Sequence, residues 1–382
     1  MIDFFERKIF KKCLESPAFF RTIGYRLAYL SSENDPEKVH ERALELLNKY
    51  QDVVEKISHD FDFPSLHIDI AGKSVMPFGN AEGMDKNGVA LYPLSKLFGF
   101  VTMGTVPLNA RGGNPRPRVF IDRKNGNGYN AQGFPSKGKK VAMENVKIYR
   151  EKGGEKPLLV NVCGMPISEK DIGSSYEELE NLVTDFAPYS DGIIWNPFSP
   201  NTAALGILRT PEVFRNSAEI ISKKAGGKLK LVKMGPYDDN EKERSKWLSL
   251  VDSFLEGGGD GIVAVNTYTV PKEKIPSAKW GYPSAGVSGR FLQDFRQRAI
   301  TDSRKNFGKD IFIISTGGID SADEARRAFE AGANAIAGYI QYILNGFGLI
   351  KKMAGELEEK LRFEKYNSLK EFQKSRPYNF AR

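Results

Sequence analysis

The sequence predicts a (β/α)8 TIM barrel of the α/β class carrying a helical N-terminal extension, and three observations predict it. Short apolar runs follow one another at 77–81, 100–104, 158–162, 192–196, 229–234, 261–266, 311–316 and 334–339, each emptying into a polar or glycine-bearing loop. Helical patterns lie between most of them, at 176–186, 211–224, 242–256, 289–306 and 322–331. Near-continuous apolar strands alternating with amphipathic helices indicate a parallel sheet buried on both faces. The third observation is the count: eight such units in about 260 residues match a closed barrel. An open doubly wound sheet usually has a glycine-rich dinucleotide fingerprint after its first strand, and Gly83-Met84-Asp85-Lys86 does not match one.

The elements follow in order. Residues 1–64 read as a helical segment suited to contact with a membrane. Phe4, Phe5, Ile9, Phe10 and Leu14 recur near helical spacing among Arg7, Lys8, Lys11 and Lys12, and Phe19, Phe20, Ile23, Tyr25, Leu27, Tyr29 and Leu30 follow. Such a pattern suits a helix lying in a membrane interface, or equally an amphipathic helix packed on the body of the protein. Asp35-Pro36-Glu37 starts a clear helix, with Asp35 as cap and Val39, Ala43, Leu46 and Leu47 as its apolar stripe. Residues 66–76 read as a hairpin with a short turn. The barrel occupies 65–350. Two excursions, 106–150 and 267–288, follow the second and sixth strands and so belong to the C-terminal mouth, as loops able to act as lids or clamps. Residues 351–382 read as a final helix and a basic tail.

Composition excludes several classes. The chain has 382 residues, 40% hydrophobic and 27% charged, with a net charge of +8 spread along its length. No long basic tail or recognisable nucleic-acid motif stands out, so no nucleic-acid partner is expected. Two cysteines, Cys13 and Cys163, are too few for a disulfide framework or an iron–sulfur cluster. No metal site is expected, because no His/Cys cluster occurs. No apolar run approaches the ~20 residues of a membrane span.

The strand ends carry the chemistry. Ala81, Glu82, Gly83 and Lys86 follow the first strand, Thr105 the second and Asn161 the third. Asn196, Ser199 and Asn201 follow the fourth, Lys233 the fifth, Asn266 and Thr267 the sixth, Gly317 and Gly318 the seventh and Tyr339 the eighth. Asn130, Gly133 and Phe134 lie on the first excursion. The three histidines, His40, His59 and His67, all lie near the N-terminus, so Ser199 is a poor candidate for a Ser-His-Asp site. Ser199-Pro200-Asn201-Thr202 alone is also simply a good turn. Among converging asparagines, however, a serine suits removal of one proton from a substrate held by amides. The pocket is neutral to cationic and fits a planar, amide-bearing ring with a carboxylate, which Lys86 would pair. Gly289, expected to begin a helix, and Gly317-Gly318, just before a helix start at Asp320-Ser321, form two glycine turns after late strands, as a phosphate cup requires.

With those residues in place, the chain resembles class 2 dihydroorotate dehydrogenases, the membrane-associated, quinone-linked flavoenzymes of pyrimidine synthesis. The resemblance runs from about Asp35 to about Gly348. It rests on Gly83-Met84-Asp85-Lys86, Gly104-Thr105-Val106, Asn130 to Phe134, Asn196 with Ser199-Pro200-Asn201-Thr202, Val232-Lys233, Asn266-Thr267, Ser288-Gly289-Arg290 and Gly317-Gly318-Ile319-Asp320-Ser321. Serine at Ser199, where the cytosolic class has cysteine, points to the quinone-linked class, as does the helix from Asp35 to His40. The resemblance implies oxidation of dihydroorotate to orotate, with Ser199 as general base. It implies FMN held by Ala81, Glu82, Gly83, Lys86, Thr105, Asn161, Asn196, Lys233, Val265, Gly289, Gly317, Gly318, Tyr339 and Ile340. Substrate would be held by Lys86, Asn130, Ala131, Gln132, Gly133, Phe134, Asn196, Asn201, Asn266 and Thr267. Ubiquinone or menaquinone would reoxidise the flavin, entering between the helices of residues 1–64, and the protein would sit peripherally on the cytoplasmic face of a bacterial inner membrane, a soluble cytoplasmic protein being the alternative.

The chain departs from the family pattern mainly on the cofactor side. Glu82 stands where a small residue is usual, Val265 replaces a threonine, and Ile340-Gln341 replaces serine-glycine. Cys163-Gly164-Met165 and Pro135-Ser136 are also unusual. A related FMN oxidoreductase with another substrate, or a silent barrel that binds ligand or membrane, are the alternative readings.

Overall fold

A computed structural model describes residues 2–168, 170–199 and 202–376. Among them, the predicted barrel is present. Eight parallel strands form one sheet: Phe78–Asn80, Val101–Val106, Leu158–Val162, Gly192–Trp195, Leu229–Met234, Gly261–Ala264, Phe312–Thr316 and Ala335–Gly338. From the second strand onward each pairs with the next in sequence, and the first pairs with the last through Phe78↔Ile336. The first and second strands meet at a single backbone bridge, Gly79↔Phe100. Side chains close that seam. The buried Asn80 donates Nδ2 to Thr102 O at 2.6 Å and accepts Thr102 N at 3.1 Å.

Helices cover the sheet, and their ends follow local chemistry. Thr210 accepts Val213 N ahead of Pro211–Ala225, Asn240 accepts Glu243 N ahead of Glu241–Glu256, and Ser321 accepts Glu324 N ahead of Ala322–Ala331. Such caps contribute about 1 kcal/mol each. Asp35 caps Pro36–Lys49 in the same way. The hairpin Ile68–Ile70 with Lys73–Val75 turns through Ala71 and Gly72 at positive φ, with Asp69 Oδ1 accepting Gly72 N.

The core is continuous from barrel to extension. Phe10, Leu14, Leu47 and Tyr50 share one buried cluster with Phe78, Phe100 and Phe329. The helix Ile2–Glu15 is also tied down by Glu6, which accepts from Arg42 and Lys49, each at 2.6 Å, and from the Tyr50 hydroxyl at 2.7 Å. At the other end, Gly348–Phe363 is followed by a further helix, Leu369–Ser375, capped by Ser368 and anchored by buried Leu369 and Phe372. The region expected to be a tail is therefore ordered to that point by two apolar side chains.

The excursions differ more from expectation. Val119–Asp122, Asn127–Asn130, Tyr268–Pro271 and Ser284–Gly289 form one four-stranded antiparallel sheet over the mouth. It has its own small core of Tyr129, Ala131, Val270, Ile275, Trp280, Ala285 and Val287. Gly289 consequently ends a strand. The helix expected to begin there starts at Gln293, after a tight turn through Arg290–Leu292.

Candidate active site

The strand ends and the antiparallel sheet enclose a cavity of about 730 Å3. Ser199 lines it, with its Oγ 3.4 Å from Thr202 Oγ1. The loop bearing Ser199 is held by Arg209, which donates Nε to Pro197 O at 3.3 Å and Nη2 to Ser199 O at 3.4 Å. Pro200 and Asn201 lie outside the described residues.

Below this loop the amides form a chain. Asn196 donates Nδ2 to Thr105 Oγ1 at 2.8 Å, and its Oδ1 accepts Asn266 Nδ2 at 3.2 Å and Phe198 N at 3.3 Å. Asn266 also donates to Phe198 O, and its Oδ1 accepts Thr267 N at 2.8 Å. Each amide is thus oriented by its neighbours, which fixes which edge is donor and which acceptor. From the covering sheet, Asn130 donates Nδ2 to Gly286 O at 3.1 Å. Gly133 and Phe134 both adopt positive φ beside it and line the cavity.

Lys86 lines the same cavity, and no hydrogen bond or ion pair holds its ammonium among the described residues. Burial, with Arg118 nearby, pushes its pKa down, and the charges of Glu37, Glu41 and Asp85 oppose that. The next residue back is rigid: the buried Asp85 carboxylate accepts Val89 N at 2.9 Å and Ala90 N at 2.7 Å.

Lys233 and Glu82 meet across the mouth. Lys233 Nζ lies 2.8 Å from Glu82 Oε2, with side-chain exposures of 10% and 3%. Ala81 and Gly83 flank this carboxylate on the cavity wall. Val265 lines it nearby, its N–H bonded to Thr316 O at 3.0 Å.

Gly289, Gly317 and Gly318 line the opposite end at φ 96°, 117° and 71°. The two turns pack so closely that a Cβ on Gly318 would lie 2.7 Å from Gly289 O, and one on Gly289 2.3 Å from Gly126 O. Only glycine fits such positions without strain. Tyr339 and Ile340 complete this end. Ile340 packs over Gly128 and clusters with Tyr25 and Leu344, while Gln341 Nε2 donates to Gly126 O at 3.1 Å. The unusual pair therefore ties the eighth strand to the covering sheet and the extension.

Two expected residues stand back from the cavity wall. Ala131 is buried in the small core of the covering sheet. Asn161 is fully buried on the third strand, and among the described residues neither amide atom has a hydrogen-bond partner. Conversely, one wall was not assigned from sequence. Glu37, His40 and Leu44 of the helix Pro36–Lys49, with Arg118 of the excursion, line the cavity. Burial beside the Lys86 charge pulls His40 down to about 3, partly offset by a hydrogen bond that the ring donates to the Met84 backbone, so the imidazole is neutral at ordinary pH. Its ring stands 5.5 Å from that of Tyr339. Capping logic located this helix but could not say which charges face inward.

Comparison with known proteins agrees with this architecture. The family profile described as Dihydroorotate dehydrogenase matches residues 65–361. A protein of a Nitratiruptor species named Dihydroorotate dehydrogenase (quinone) is 30% identical over 346 residues, covering 88% of this chain and 94% of the relative. One of the same name from a Sulfurovum species is 31% identical over 301 residues, covering 77% and 80%. The crystal structure of DHODH from Eimeria tenella in complex with ferulenol superposes with a TM-score of 0.76 at 26% identity, covering 88% of this chain and 94% of that one.

Proposed function

The chain belongs to the dihydroorotate dehydrogenase family, and from that premise we propose that it oxidises dihydroorotate to orotate in pyrimidine biosynthesis, with Ser199 as general base. The observation that carries this reading is the convergence of Ser199, Asn196, Asn266, Asn130 and Lys86 on one cavity. The oriented amides match the lactam edges of the ring, and the Lys86 ammonium matches its carboxylate. Ser199 then takes the C5 proton. A lone serine is a weak base, so its own proton has to move on. Thr202, 3.4 Å away, is the first station of that relay. Asn201 belongs to the proposed substrate contacts and lies outside the described residues.

The residues present fit FMN. Two adjoining glycine turns expose backbone to a phosphate, and just behind the cavity wall the buried Asn161 amide has both ends without a partner among the described residues. Gly289, Gly317, Gly318 and Tyr339 would hold the phosphate, and Thr105, Asn196, Lys233 and Val265 the ring. FMN bound there would supply a hydride acceptor, with ubiquinone or menaquinone as the onward electron acceptor. The wall of Glu37, His40, Leu44 and Arg118 offers the quinone its approach between the N-terminal helices, which would rest on a membrane surface.

The purified chain is expected to be yellow. Anaerobic dihydroorotate should bleach the flavin bands, and a quinone should restore them. Ser199→Ala should slow bleaching by roughly a hundredfold or more, the scale of a lost general base, at unchanged flavin content. A wild-type rate in that variant would remove Ser199 from the role. Bleaching by another dihydro-heterocycle but not dihydroorotate would replace the substrate and keep the fold's chemistry.

A further inference from the structure

Lys233 and Glu82 lie 151 residues apart and face each other across the barrel mouth. Both line the cavity, and among the described residues each has the other as its ion-pair partner. Glu82 does not serve its own loop, which Asp85 holds through Val89 N and Ala90 N. A nearly dry carboxylate with no backbone donor among the described residues is costly unless its partner compensates it. It equally removes the partner's net charge from the surroundings.

We infer that Glu82 is a charge-setting residue: by pairing with Lys233 it cancels the cation beside the flavin ring and makes that ring harder to reduce. The inference rests on the flavin reading above. In the reaction proposed, the C6–H bond of the substrate breaks and its electron pair leaves with the hydrogen for the ring. The C5 proton goes to Ser199, and the C5=C6 bond forms. A neutral ring that accepts a hydride gains one negative charge. A bare lysine would stabilise that charge, whereas a lysine–carboxylate pair presents a dipole with no net charge. Electrons then arrive less readily from the substrate and leave more readily to an acceptor.

The test is the two-electron midpoint potential of bound FMN, measured by anaerobic dye-coupled reduction. Glu82→Gln should raise the reduced-to-oxidised ratio at fixed dye potential at least tenfold, which is ~30 mV for a two-electron couple. Lys233→Met should move it the other way, and the double variant Glu82→Gln/Lys233→Met should return to within about threefold of wild type. A purely structural role would not reverse sign in this way. Glu82→Ala is read in parallel, so that a misfolded glutamine variant does not decide the matter. FMN uptake with a potential unmoved in the Glu82 variants overturns this inference alone. A wild-type chain that takes up no FMN overturns it together with the flavin reading.

Discussion

Glu37 occupies the first turn of the helix Pro36–Lys49 and is buried against the excursion that follows the second strand. Arg118 Nε lies 3.2 and 3.1 Å from its two oxygens, Gln132 Nε2 donates at 3.3 Å, and Arg116 Nε stands at 3.4 Å. Arg118 also donates to Gly112 O at 2.7 Å and Asn114 O at 2.6 Å. One side chain thereby joins extension and covering sheet beside the cavity. Its removal leaves a buried carboxylate with only the longer contacts to Gln132 and Arg116, and takes the donor from two carbonyls. Arg118→Leu is therefore expected to lower unfolding free energy by about 3–5 kcal/mol, read from urea denaturation. Glu41→Gln breaks a half-exposed contact to Arg116 and should cost less than about 1 kcal/mol. Equal losses would show that burial does not govern this cluster. The sequence displays Glu37 as an ordinary first-turn acid, and Arg118 as one of many scattered arginines. What sets them apart is a contact spanning 81 residues, which no local pattern encodes.

At the scale of elements, legibility followed periodicity. Runs such as Leu158–Val162 and Gly192–Trp195 are buried throughout, so their composition marks them as interior strands. The strand-end asparagines could be read as a site because the barrel fixes where strand ends go. The covering sheet was not legible, because strands such as Asn127–Asn130 contain glycine and asparagine and pair across two excursions distant in sequence. Ion pairs between elements were equally silent, and the helix Ile2–Glu15 depends on one group of them. Lys49, Tyr50 and Arg42 hold Glu6 down to about 2, against an ordinary 4.5. A depressed carboxylate pKa stabilises the docked helix fully above the unfolded value, and the contribution is lost as pH falls from about 4.5 toward 2. Hydrogen exchange across residues 2–15 should therefore lose protection over that window relative to the barrel strands. Glu6→Gln should show reduced protection already at neutral pH and a flatter acid response. High salt should weaken the wild-type effect, because Glu6 is partly exposed. A pH profile unchanged by Glu6→Gln would take Glu6 out of the docking and leave it to Phe10, Leu14 and the Arg7–Asp52 and Lys49–Asp3 pairs.

Across the whole molecule, the N-terminal helices present two faces. Phe10, Leu14 and Tyr25 turn inward. Phe4, Phe5, Ile23, Leu27 and Leu30 remain exposed, Phe5 by 57% and Leu30 by 72%. Lys8, Lys11, Lys12 and Arg26 are interleaved with them and are also exposed, Lys8 over the Phe4 ring. The inward side chains bear out the packed-helix reading, and for the outward ones we propose the membrane reading. No helix of the described residues is long and apolar enough to cross a membrane, so the exposed face suits a surface that it enters only shallowly, with its cations toward anionic headgroups. That placement would bring a lipophilic quinone to the cavity wall formed by Glu37, His40 and Leu44 without passage through water. Deleting residues 1–30 would test this poorly, because it also strips Phe10, Leu14 and Tyr25 from the interior. Phe5→Ser with Leu30→Ser leaves the interior intact. Burying each side chain in lipid is worth about 1.5–3 kcal/mol, so the double variant should partition at least tenfold less onto phosphatidylglycerol vesicles in a sedimentation assay. Its turnover with a short-chain, water-soluble quinone should match wild type, while turnover with a long-chain quinone in vesicles should fall. Undiminished vesicle binding would mean that these side chains do not meet lipid, and the quinone would then need another way in.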